Sequence, residues 1–90
     1  MISDIMFYVY AIKSEVNSDL YIGFSSNIEK RLKAHNDGKV RSTRTNKPWK
    51  LVYYEAFLSK NDAYSREYHL KHNSQQKELL RKRIEKSLTT

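Results

Sequence analysis

The apolar residues of this 90-residue chain change period along its length. FYVYAI (7–12) is an unbroken aromatic and β-branched run, which predicts a strand buried on both faces or nearly so. KSEVNSD (13–19) reads as a polar turn and LYIGFS (20–25) as a second strand, so the short link predicts an antiparallel hairpin. Gly23, near the end of that strand, predicts a bulge or a close backbone approach. From Ser26 onward the spacing becomes helical. With Ser26 or Asn27 as the N-cap, IEKRLKAHN (28–36) turns Ile28, Leu32 and either Ala34 or His35 inward.

DGKVRSTRTNKPWK (37–50) is a long polar loop with Lys39, Arg41, Arg44, Lys47 and Lys50 and no acid after Asp37. Pro48 cannot donate to a ladder, so the third strand should start at about Trp49. In WKLVYYEAF, alternation puts Leu51, Tyr53 and Glu55 on one face and Val52, Tyr54 and Ala56 on the other. Ser59, with Asp62 three residues on, opens a helix over roughly 60–72. A third helix, about 74–88, has Ser74 as its cap and Leu79, Leu80, Ile84 and Leu88 as its apolar stripe. The order ββαβαα predicts an α+β fold: a small three-stranded antiparallel sheet flanked by helices. Residues 1–90 are expected to form a single domain. A chain of this size buries only roughly 60–65% of its unfolded surface, which leaves no room for a deep enclosed pocket.

Charge narrows the partners. Seventeen basic residues against ten acidic give +7, which favours a polyanion, nucleic acid first. A membrane surface fits less well, because no helix pairs its basic residues with a broad Trp/Phe/Leu face. Cysteine is absent, which excludes disulfides, thiolate metal sites and a cysteine nucleophile. MISDIMFYVYAIK has no basic n-region or long apolar run, and no stretch approaches the ~20 apolar residues that span a bilayer. A cytoplasmic, soluble protein is the expectation.

The chemistry-bearing residues gather at one junction. Tyr10 and Tyr21 can approach each other across the predicted hairpin, and Arg31 and His35 share one face of the helix that follows. Glu67 lies midway along the second helix. His69 and His72 also share a face, but no third ligand at suitable spacing accompanies them. Tyr53, Tyr54 and Trp49 are expected as core and rim aromatics, and Tyr64 and Tyr68 as packing residues beside Glu67.

YVY (8–10), ten intervening residues, YIG (21–23), then NIEKRLKAHN, WKLVYYEAF and AYSREYHLK, in this order and on these elements, resemble the GIY-YIG nuclease superfamily. The resemblance is to its small single-domain bacterial members, related to the N-terminal nuclease module of the bacterial repair excinuclease. It covers roughly residues 7–72. It implies a metal-dependent endonuclease that hydrolyses DNA phosphodiester bonds, structure- or damage-directed, in repair or recombination. The alternative is a non-catalytic nucleic-acid-binding domain of the same fold.

By position, the resemblance makes Tyr10 a general base or an orienter of the attacking water, and Tyr21 a residue that positions water or phosphate. Gly23 keeps the site unobstructed, Arg31 holds the phosphate, His35 assists Tyr10, and Glu67 binds one Mg²⁺ or Mn²⁺. Lys39, Arg41, Arg44 and Lys47 are expected to clamp a nucleic-acid backbone, DNA ahead of RNA. A protein partner that delivers substrate is also compatible with so small a chain. Two departures stand out. The first motif lacks its leading glycine, and Asn73 is the nearest candidate for an asparagine found later in many members.

Overall fold

The computed structural model describes residues 5–90. β1 (Phe7–Ser14) lies between β2 (Leu20–Ser25) and β3 (Trp49–Phe57), and both pairings are antiparallel. α1 (Ile28–Asn36) follows β2, and α2 (Lys60–His72) and α3 (Ser74–Arg83) follow β3. The predicted α+β order is therefore what forms. A short 3-10 turn, Arg44–Asn46, interrupts the basic loop, and another, Ser87–Thr89, closes the chain.

The central position of β1 accounts for its unbroken apolar run. Val9, Tyr10, Ala11 and Ile12 are each no more than 2% exposed, because both faces of the strand are covered. One face, with Val9, Ala11, Leu20 and Ile22, packs on Ala63 and Leu70 of α2 and on Leu80 of α3 and Ile84 just beyond it. The other, with Tyr10, Ile12 and Trp49, packs against Tyr21 and against Ile28 and Leu32 of α1.

Four local features differ from the sequence expectation. The β1–β3 register shifts between Ala11, opposite Tyr53, and Ile12, opposite Leu51. This leaves Val52 as the extra residue of a bulge. Strict alternation is lost there: Leu51 joins the cluster of Tyr10, while Val52 and Tyr53 join the cluster of Val9. Asn73, not Ser74, caps α3, its side chain accepting from the Gln76 N–H. Both residue types cap well, so composition alone does not choose between neighbours. α3 stops at Arg83, where Ile84 leaves helical geometry and its N–H reaches the carbonyls of Leu80 and Lys82. Leu79 is 59% exposed, so the inward stripe is Leu80, Ile84 and Leu88.

Two devices position α1 and α2 on the sheet. Asn27 caps α1 by accepting from the Lys30 N–H, and Gly38, at φ 75°, ends it in the left-handed conformation that favours glycine. Asn36 then ties the helix end to β3, donating to the Trp49 carbonyl and accepting from its N–H. On α2, Arg66 donates through Nε and Nη2 to the Glu55 carboxylate of β3 at 2.9 and 2.8 Å. Tyr53 adds its hydroxyl at 2.7 Å. Burial pushes the Glu55 carboxyl up, but the hydrogen bonds from Arg66 and Tyr53 outweigh it and hold it below its ordinary value. This two-pronged pair fixes the rotation of α2, and with it the direction of Glu67.

Candidate functional site

Tyr10 and Tyr21 lie on the α1 side of the sheet, though not directly opposite each other. Tyr10 pairs with Gly23, and Tyr21 pairs with Ile12, so the two tyrosines are diagonal neighbours on one face. Gly23 is what lets Tyr10 lie flat. A Cβ at Gly23 would overlap the Tyr10 phenol, so the close approach predicted there is to a side chain on the neighbouring strand.

His35 fills the space between the tyrosines. Its ring centroid is 5.9 Å from that of Tyr10 and 5.2 Å from that of Tyr21. The residue is fully buried, and both ring nitrogens have partners. Nε2 is 2.7 Å from the Tyr10 hydroxyl, and Nδ1 is 2.8 Å from Thr43 Oγ1. Thr43 Oγ1 in turn reaches the Val40 carbonyl at 3.4 Å, and only the hydroxyl can donate in that contact. We assign the tautomer from this chain: Nδ1–H donates to Thr43, and Nε2 accepts from the Tyr10 hydroxyl. Thr43 is itself fully buried, and its carbonyl accepts from the Trp49 indole N–H at 2.9 Å.

Burial sets the charge state. It pushes the Tyr10 phenol up to about 12, against an opposing pull from Arg31. It pushes the His35 imidazole down to about 4, and the Arg31 guanidinium adds to the shift. Both groups are therefore neutral at pH 7. The hydroxyl proton of Tyr10 points at an imidazole, which leaves the oxygen lone pairs free for other partners.

Arg31 is exposed on α1, one turn before His35, and its charge is felt by both Tyr10 and His35. Glu67 comes from α2, and its charge too acts on the Tyr10 phenol. The five motif residues Tyr10, Tyr21, Arg31, His35 and Glu67 thus converge from four elements. Among the described residues no group of three or more His, Cys, Asp or Glu side chains is set to hold a metal ion. Glu67 is a lone carboxylate whose charge reaches the Tyr10 phenol. A single carboxylate suits a hard cation such as Mg²⁺ or Mn²⁺, which binds through oxygen and keeps several waters.

Two neighbours escape a reading of the sequence. Thr43 sits eight residues from His35 in an irregular loop, where no periodicity marks it. Lys71 is one helical turn past Glu67, with Nζ 3.3 Å from its Oε2 and 5.2 Å from the centroid of the Tyr21 ring. Its spacing from Glu67 is visible in the sequence, but its approach to Tyr21 depends on how α2 crosses β2.

The remaining candidates lie apart. Lys39, Arg41, Arg44 and Lys47 are exposed on the loop after α1, and Arg44 Nε is engaged by the Gly38 carbonyl at 3.0 Å. Asn73 spends its side chain on the α3 cap. His72 Nδ1 is bonded to the Tyr68 carbonyl, and the two rings stack at 4.3 Å. Tyr64 stacks on Phe24 at 4.3 Å, yet it and Tyr68 are both exposed.

Comparison with known proteins bears on the family and the fold. The model of the GIY-YIG catalytic domain matches residues 6–82. A UPF0213 protein of Clostridium perfringens is 51% identical over 67 residues, covering 73% of this chain and 71% of its own. One from Staphylococcus haemolyticus is 47% identical over 73 residues, covering 80% and 88%. The solution NMR structure of a UPF0213 protein from Bacillus halodurans superposes with a TM-score of 0.58 at 30% identity, over 94% of each chain.

Proposed function

The chain belongs to the GIY-YIG family, and from that premise we propose that it is a metal-dependent endonuclease that hydrolyses phosphodiester bonds in DNA. The family implies nucleic-acid binding and a divalent metal. The observation that carries the reading is the buried contact between the Tyr10 hydroxyl and His35 Nε2 at 2.7 Å, beneath Arg31 and beside Glu67. A purely structural tyrosine needs no imidazole acceptor that is itself held in one tautomer.

In this reading the scissile phosphate lies over Arg31, whose planar donor fork matches two of its oxygens. Tyr10 takes a proton from the attacking water as it passes its own to His35 Nε2. Burial is the main cause of the low proton affinity of His35 and remains; a phosphate on Arg31 offsets only the smaller part that the guanidinium adds. Tyr21 flanks His35 and orients the water or the phosphate. Glu67 would hold the divalent cation, which supplies stabilisation of charge on the phosphoryl and leaving oxygens. Lys39, Arg41 and Lys47 would track the backbone away from the cut. A role in repair or recombination on branched or damaged DNA fits the absence of an evident base-reading element among the described residues.

The test is cleavage of supercoiled, branched and single-stranded DNA with Mg²⁺ or Mn²⁺, with and without EDTA, beside Arg31→Ala. Products that need metal and vanish in the variant are expected, with a loss of at least about 100-fold for a charge-stabilising group. Salt-sensitive binding with no products on any substrate would replace the enzyme by a non-catalytic nucleic-acid-binding domain.

A further inference from the structure

The cation that meets Glu67 in this structure is the ammonium of Lys71. A glutamate four residues before a lysine is an ordinary helical pair, and the chain contains an ordinary ion pair at the same spacing for comparison. Lys33 and Asp37 form that pair at 2.7 Å with side chains 75% and 38% exposed. Lys71 and Glu67 are 37% and 21% exposed, because the lysine is folded down over the Tyr21 ring. Lys71 thus lies between the carboxylate that faces Tyr10 and the second tyrosine of the site, where metal and phosphate must enter.

We propose that Lys71 is an exchangeable counter-cation of the site. A divalent metal displaces it from Glu67, and the freed ammonium takes up a phosphate of the bound nucleic acid. This rests on the reading of Glu67 as the metal-binding carboxylate. Electrostatics favours the exchange: an ammonium held at 3.3 Å from a carboxylate oxygen opposes any dication on the same group. The sequence favours the second half. α2 ends at His72, one residue past Lys71, and the only other acid on it is Asp62, in its first turn. Once off Glu67, Lys71 has no second carboxylate on its own helix within reach, and a phosphate is the natural acceptor for a flexible point charge.

The first half is tested without turnover, by Mn²⁺ titration of the ¹⁵N-labelled protein alone, following paramagnetic broadening of backbone amides. In the parent, broadening centres on α2 around Glu67. Lys71→Met is expected to reach half-broadening at roughly three- to tenfold lower Mn²⁺, the size of one opposing charge a few ångströms away in a wet site. Lys71→Arg, which keeps the charge, stays near the parent. A Lys71→Met midpoint equal to the parent's or higher, with broadening still lost in Glu67→Gln, overturns the exchange while leaving Glu67 as the ligand. Broadening that persists in Glu67→Gln removes the metal reading itself.

The second half is tested on a Tyr10→Phe background, so that cleavage is slow on the timescale of binding, at saturating Mn²⁺. Lys71→Met should lower the slope of log affinity against log salt by about 0.7–0.9, one phosphate contact. An unchanged slope overturns the phosphate role.

Discussion

The two faces of the sheet solve the same packing problem with different side chains. Toward α2 and α3 the strands present Val9, Ala11, Leu20 and Ile22 to Leu70, Leu80 and Ile84, a core whose buried members, among the described residues, are all aliphatic. Toward α1 they present Tyr10 and Ile12, and the buried residues that complete this side include His35 and Thr43. Among the fully buried residues of the first face volume is what matters, and residues of similar size should exchange at modest cost. On the second, the buried polar side chains of His35 and Thr43 have partners at fixed distances, so a change of size or of hydrogen-bonding capacity costs more. A fold that needed only stability would gain nothing from an imidazole and a phenol at its centre. The asymmetry is what the proposed function requires of the α1 side.

The largest expected effect breaks the aliphatic face. Leu70→Ala should lower stability by about 2–5 kcal/mol in urea unfolding, the range for a buried leucine. Cleavage per folded molecule should stay at the parent level, which separates scaffold from site.

Acid attacks the other face. His35 is held neutral down to about pH 4 when folded but titrates near 6.5 when unfolded. The unfolded chain therefore binds the extra proton first, and stability falls as pH drops from 6.5 toward 4. The loss should approach about 3 kcal/mol, and His35→Phe should remove that part of the pH dependence.

Gly23→Ala pushes a methyl into the Tyr10 ring and should cost about 1–3 kcal/mol, with the phenol displaced from His35. Thr43→Val keeps the shape but strands the His35 Nδ1–H, at a cost of about 1–2 kcal/mol, and ¹⁵N shifts of the imidazole should show the tautomer released. Thr43→Ser should keep both the stability and the tautomer.

The sequence carries the parts of this account that depend on local spacing. The β1 run, the β2 motif, the α1 face with Arg31 and His35, and the α2 limits all follow from period and caps. What escapes it depends on how elements meet. The bulge at Val52 is a property of the β1–β3 pairing and is invisible within either strand alone. Thr43 reaches His35 only because the loop after α1 turns back through Gly38 and the turn in which the Thr43 N–H bonds the Val40 carbonyl. The Glu55–Arg66 pair joins residues eleven positions apart on different elements, and nothing in local spacing marks them as partners. The hairpin alone predicts that Tyr10 and Tyr21 approach each other. Their diagonal offset, with His35 between them, follows from a register that the turn length alone does not fix.

The central claim is that the Tyr10 hydroxyl serves chemistry and the rest of its ring serves packing. The most direct test is the single-turnover cleavage rate of Tyr10→Phe on the best DNA substrate, with Mg²⁺, beside its unfolding midpoint in urea. The account predicts a rate at least about 100-fold lower, the scale of a lost proton-transfer group, with stability within about 1–2 kcal/mol of the parent. A Tyr10→Phe protein that cuts as fast as the parent would contradict it.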